Sequence, residues 1–146
     1  MQSIEDYFIT NNQTIDVIPQ DVQVLKCFNY SNSTITSIDF SNYSFSQLNS
    51  IIIGNSSCKM IYTFVIDGLP SLEKVIIGYD SFKIKWNKRN KGLCRINNCP
   101  NLRQLDIGRD SFQDFKSFQL FNLNSLQSIE VGHNCFKYAD FLLKGE

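Results

Sequence analysis

The sequence predicts a mostly β chain, built as a short solenoid of about four to five coils of roughly 24 residues, with parallel strands on both faces and little helix. The first observation behind this is a recurring register. Leu102, Leu105, Ile107, Gly108, Asp110 and Phe112 occupy steps one, four, six, seven, nine and eleven of a motif. Leu126, Ile129, Val131, Gly132, Asn134 and Phe136 repeat it, as do Leu72, Val75, Ile77, Gly78, Asp80 and Phe82, and Leu48, Ile51, Ile53, Gly54, Ser56 and Cys58. The second is another set of short alternating segments between these copies: Phe64-x-Ile66-x-x-Leu69, Cys94-x-Ile96-x-x-Cys99, Phe118-x-Leu120-x-x-Leu123 and Phe141-x-Leu143. The third is negative: no window carries the i, i+3, i+4, i+7 apolar spacing over the eleven or more residues that a helix needs.

Taken in order, residues 1–21 stand outside the repeat and read as an N-terminal cap or irregular segment, with Ile15, Val17 and Ile18 ending in a turn at Pro19. Residues 22–146 form the repeat region. Val22 to Phe28 reads as a degenerate first strand whose register is ambiguous by a residue or two, and Ile38 to Phe40 as the first member of the second strand set. The glycine at step seven is expected to serve a tight bend. The spacing stretches between Gly78 and Gly108 because of an insertion at 83–91, a run with five basic residues and the only Trp, expected to bulge as a loop.

Composition narrows the function classes. With 42% hydrophobic and 19% charged residues the chain is too apolar for disorder, and zero formal net charge argues against a general nucleic-acid clamp. No apolar run is long enough to span a bilayer, and Glu5 and Asp6 sit where a signal peptide would be basic or apolar. Five cysteines is an odd number, against a closed disulfide framework, and Cys58, Cys94 and Cys99 fall in apolar columns and read as small buried hydrophobes, which tips the expected compartment toward the intracellular side. Sequons at Asn12, Asn29, Asn32, Asn42 and Asn55 argue the other way.

The copies from Leu48 onward resemble the leucine-rich repeat, Leu-x-x-Leu-x-Leu-x-x-Asn-x-Leu, with Ile or Val at steps four and six and Phe at step eleven. The coil length and the Ser-Phe pair after the turn are most similar to the BspA-like subclass. The resemblance implies that step nine, held here by Ser56, Asp80, Asp110 and Asn134, bonds backbone amides inside the turn. It also implies a non-catalytic protein-binding or scaffold module without cofactor or metal.

The residues themselves offer little to an enzyme. His133 is the only histidine, so neither a catalytic relay nor a histidine metal site has a second imidazole, and Asp80 and Asp110 read as turn residues before they read as paired carboxylates. The open face of the main strands is the favoured protein-binding site: Ile52 and Ile76 give an apolar strip running into Asp106 and Glu130, flanked by Tyr79, Arg109 and His133. The alternative is nucleic-acid or anionic-membrane contact through Lys83, Lys85, Trp86, Lys88, Arg89 and Lys91. No small-molecule substrate is implied. At the C-terminal end no polar cap follows the last strands, so the chain is expected to be a piece of a longer repeat protein, the favoured reading, or else to self-associate there.

Overall fold

A computed structural model describes residues 6–11, 13–30, 34–84 and 91–144, and within them the chain is mostly β. The eleven strands of the described residues form two parallel sheets, alternating between them from the second strand onward. The first sheet contains β1 (Asp6–Phe8), β2 (Val24–Cys27), β4 (Ser50–Ile53), β6 (Lys74–Ile77), β8 (Gln104–Ile107) and β10 (Ser128–Val131), neighbours in that order. The second runs β3 (Ser37–Asp39), β5 (Thr63–Asp67), β7 (Leu93–Asn97), β9 (Ser117–Phe121) and β11 (Asp140–Lys144). The only helix among the described residues is a single 3-10 turn, Ile15–Val17. Asp6–Phe8, in the segment expected to stand outside the repeat, pairs with β2, with Leu25 opposite Tyr7.

The register follows the sequence columns. Leu25, Ile51, Val75, Leu105 and Ile129 are successive partners, as are Cys27, Ile53, Ile77, Ile107 and Val131. In the second sheet Ile38, Phe64, Cys94, Phe118 and Phe141 form one row. Period-two side-chain alternation sends these rows from both sheets into one shared core. Leu72, Val75, Ile77, Phe82, Leu102, Leu105, Ile107, Phe112 and Phe136 are all buried there. The repeat columns also predict burial of Leu126, Ile129 and Val131, and this fails: Leu126 is only partly buried, and Ile129 and Val131 are exposed, β10 having β8 as its one neighbour among the described residues.

The turns after the first-sheet strands are where structure and expectation part. Ser56, Asp80, Asp110 and Asn134 all adopt left-handed backbone, φ 56° to 65°. That conformation turns their N–H groups toward the next strand's turn: Ser56 donates to Tyr79, Asp80 to Arg109 and Asp110 to His133 carbonyls, each at 2.9 Å. Their side chains bond one another, Asn134 Nδ2 to Asp110 Oδ1 at 3.1 Å and Ser56 Oγ to Asp80 Oδ2 at 3.4 Å. The expected bond from step nine to backbone amides is thus replaced. Step ten carries it: Ser57, Ser81 and Ser111 are fully buried, the N–H of Ser81 donates to Ser111 Oγ at 3.0 Å, and Ser111 Oγ donates to the Gly78 carbonyl at 2.7 Å. A residue in the left-handed region directs the following side chain inward, and Asn and Asp tolerate that region best among residues with a Cβ.

Glycine at step seven also has a reason different from the expected bend. Gly68 is the only described glycine with positive φ. A Cβ on Gly108 would lie 2.6 Å from the carbonyl carbon of Gly78 and the amide nitrogen of Tyr79, and one on Gly132 would lie 2.5 Å from the Arg109 nitrogen. Neighbouring backbones therefore stack too closely for a side chain. Gly108→Ala is expected to destabilise the chain by about 1 to 3 kcal/mol, typical of overpacking against backbone that cannot yield. Urea unfolding of the variant checks this, and an unchanged midpoint would contradict it.

Candidate functional site

The outer face of the six-stranded sheet collects the residues singled out for protein binding. Ile52, Ile76, Asp106 and Glu130 are register partners on β4, β6, β8 and β10, so they form one continuous row with strands about 4.8 Å apart. Both isoleucines and Asp106 are half-buried, and Glu130 is exposed. Tyr79, Arg109 and His133 stand exposed at step eight, where successive strands enter their turns. Arg109 lies over the Tyr79 ring, its guanidinium carbon 4.9 Å from the centroid, and also pairs with Asp110 at 3.1 Å. These contacts orient the guanidinium at the rim of the row while leaving its side chain 64% exposed.

Structure extends this row past what sequence reasoning reached. Lys26 and Phe8 continue it on β2 and β1, opposite Ile52 and Lys26 respectively. Phe8 and Phe28, both exposed, meet edge to face at 5.9 Å, and Lys26 pairs with Asp6 at 3.0 Å. The row thus runs from an aromatic end through Ile52 and Ile76 to an acidic end. Phe8 was missed because its segment was set apart from the repeat. Lys26 and Phe28 were missed because the first turn is shorter: Tyr30 is buried three residues after Cys27, whereas Phe82 follows Ile77 by five. The alternation of Val24-Leu25-Lys26-Cys27, aligned on Leu25 and Cys27 alone, was the usable signal.

Asp106 is the most informative member. Its Oδ2 accepts from Gln104 Nε2 at 2.7 Å, while its Oδ1 is buried and has no hydrogen-bond partner among the described residues. That oxygen is closed off from the surface, so the accessible carboxylate of the row is that of exposed Glu130. Beside the row, at the entry to the strands, Glu73, Lys74, Arg103, Gln104, Gln127 and Ser128 line a shallow polar depression of about 390 Å³, with Arg103 and Glu73 paired across it.

The alternative basic site is less assembled. Lys83 pairs with Asp80 at 2.7 Å; the hydrogen bond from Lys83 holds the Asp80 carboxyl below its ordinary range, and the same bond raises the Lys83 ammonium. Lys91 is exposed. Lys85, Trp86, Lys88 and Arg89 lie outside the described residues. Asp80 and Asp110 each keep a cation of their own, Lys83 and Arg109.

All five cysteines are free, and burial is the leading cause that raises the thiols of Cys58, Cys94, Cys99 and Cys135. Those four are protonated at neutral pH and so are poor nucleophiles. Among the described residues no group of His, Cys, Asp and Glu could hold a metal ion, and no helix is long and apolar enough to cross a membrane. No family model matches the chain, and neither a curated protein nor a solved structure does.

Proposed function

We propose that the chain is a leucine-rich-repeat solenoid of about four to five coils, most similar to the BspA-like subclass, and that it is a non-catalytic module binding another protein through the outer face of the six-stranded sheet. The alternation of strands between two parallel sheets supports the architecture. One observation carries the function: a single row joins Phe8, Lys26, Ile52 and Ile76 to Asp106 and to the exposed Glu130, with Tyr79 and Arg109 at its rim. Apolar anchors beside the exposed Glu130 carboxylate suit a partner bringing an apolar side chain and a cationic one, as at interface hot spots.

The test compares capture of proteins from the source cell by the parent chain, by Ile76→Glu with Arg109→Glu, and by Gln119→Glu on the outer face of the other sheet. The reading expects one partner to be lost at least tenfold with the first variant and retained with the second, both variants keeping the parent circular dichroism. Equal capture by all three, or loss only with Gln119→Glu, contradicts it. Salt-sensitive binding to RNA or anionic vesicles that vanishes on replacing Lys83 and Lys91 would instead support the basic-loop reading.

A further inference from the structure

Two of the five cysteines meet inside the core. Cys27 stands in the first-sheet row that continues through Ile53, Ile77 and Ile107, and Cys58 stands at step eleven, the position that Phe82, Phe112 and Phe136 fill in later coils. Both columns thus switch to cysteine in successive coils. Their sulfurs lie 3.7 Å apart, with Cys27 2% and Cys58 0% exposed. The other thiols are turned elsewhere: Cys99 donates to the Asn97 carbonyl at 3.4 Å and Cys135 to the Gly108 carbonyl at 3.1 Å, while Cys94 sits in the second-sheet row between Phe64 and Phe118.

Bonded sulfurs stand about 2.05 Å apart, so closing the gap moves each by about 0.8 Å when the shift is shared equally. The core leaves room for that movement. Cys27 lines an apolar cavity of about 20 Å³ together with Tyr30, Phe40 and Phe64, so its side chain can turn without displacing a packed neighbour. The loop that such a bond closes carries β3 and β4 and runs through the first coil, where the repeat is least regular. A cross-link over a loop of this length acts mainly by restricting the unfolded chain.

We propose that Cys27 and Cys58 are a disulfide site, bridged by exchange with a small-molecule disulfide and kept as a dithiol in reducing surroundings, so that the first coil is stapled to the second only under oxidising conditions. One cysteine, as thiolate, attacks the small disulfide, forming a mixed disulfide and releasing one thiolate. The other then attacks the protein sulfur of that mixed disulfide and expels the second thiolate. Two protein S–H bonds and one reagent S–S bond break, one protein S–S bond and two reagent S–H bonds form, and the two electrons lost by the cysteine pair reduce the reagent. Burial shields both sulfurs in the folded chain, so exchange takes place as the chain folds or when its first coil opens.

The pair lies in the core, apart from the outer-face row, and its test is independent of that reading. The full chain is refolded from urea with oxidised and reduced glutathione, its remaining thiols are alkylated, and tryptic peptides are weighed. Residues 27–59 form one tryptic peptide that holds both cysteines and no other. Expected is that peptide lighter by two hydrogens than its reduced form, with Cys94, Cys99 and Cys135 alkylated. The bridged chain should have an unfolding equilibrium constant at least about thirtyfold smaller than the reduced chain, the lower end of what a native disulfide gives. Cys58→Ala should show neither the bridge nor a response to the oxidant. Alkylation of both cysteines in the parent overturns the proposal, as does pairing through Cys94, Cys99 or Cys135, glutathione held on one cysteine, or a bridged chain no more stable than the reduced one. The peptide masses of the parent decide the pairing even where Cys58→Ala fails to fold.

Discussion

Truncation of Phe112 to Ala is expected to remove about 3 to 5 kcal/mol of stability, the range for deleting a fully buried phenylalanine side chain. The ring stacks between Phe82 and Phe136, with centroids 4.3 and 4.9 Å away and planes within 9°, and it meets Phe115 edge to face at 4.8 Å. It is 0% exposed, so no solvent replaces what it loses. Removing it opens a gap in the middle of an aromatic spine that also takes in Phe64 and Phe118 from the other sheet. One opposing effect exists. Phe112 sits at φ 53°, a region unfavourable for a bulky residue, and alanine keeps most of that strain. Phe112→Gly relieves it yet leaves the same gap, so glycine and alanine variants should fall close together and both far below the parent. Urea unfolding of the three proteins checks this; an alanine variant with the parent's midpoint would mean that the ring is not the core element these contacts describe.

That phenylalanine was legible in the sequence, as were most of the rows. A period-two pattern that recurs at fixed spacing leaves a strand one choice of face, because a slip by one residue would expose every apolar side chain in it. Val75, Ile77, Leu105 and Ile107 therefore declared their own positions, and the shorter Phe-x-Leu segments declared the second sheet. What stayed hidden depended on backbone conformation and on neighbours without a sequence tag. The left-handed turn residues look merely polar in the sequence. Step-seven glycines look like bend residues, and only the stacked backbones of Gly78 and Gly108 show that closeness is the constraint. The outer-face row was legible from Ile52 to Glu130 and not at Phe8, since a three-residue strand carries too little alternation to fix its register.

The turn correction yields the second large expected effect. Ser111→Ala should destabilise the chain by more than Asp110→Asn, although Asp110 holds the position that the repeat pattern makes prominent. The Ser111 hydroxyl accepts from the Ser81 N–H and donates to the Gly78 carbonyl, and Ser81 and Ser111 are both 0% exposed, so alanine strands a donor and an acceptor away from water. Leaving a buried polar group unsatisfied costs about 1 to 3 kcal/mol, and two such groups place the loss at the upper part of that range or beyond it. Asp110 is different. Its carboxylate is 26% exposed and its partners are Asn134 and the exposed Arg109, while asparagine keeps an oxygen for Asn134 and tolerates φ 63°. An exposed ion pair is worth about 0 to 1 kcal/mol, so Asp110→Asn should stay within about 0.5 kcal/mol of the parent. Ser111→Cys makes the comparison sharper, because Cys135 already occupies the next position of the same row and donates its thiol to the Gly108 carbonyl at 3.1 Å. Cysteine at 111 should recover part of what alanine loses. Denaturant unfolding of the three variants gives the order Asp110→Asn, then Ser111→Cys, then Ser111→Ala; if Asp110→Asn were instead the most damaging, step nine would be the residue that holds the turn.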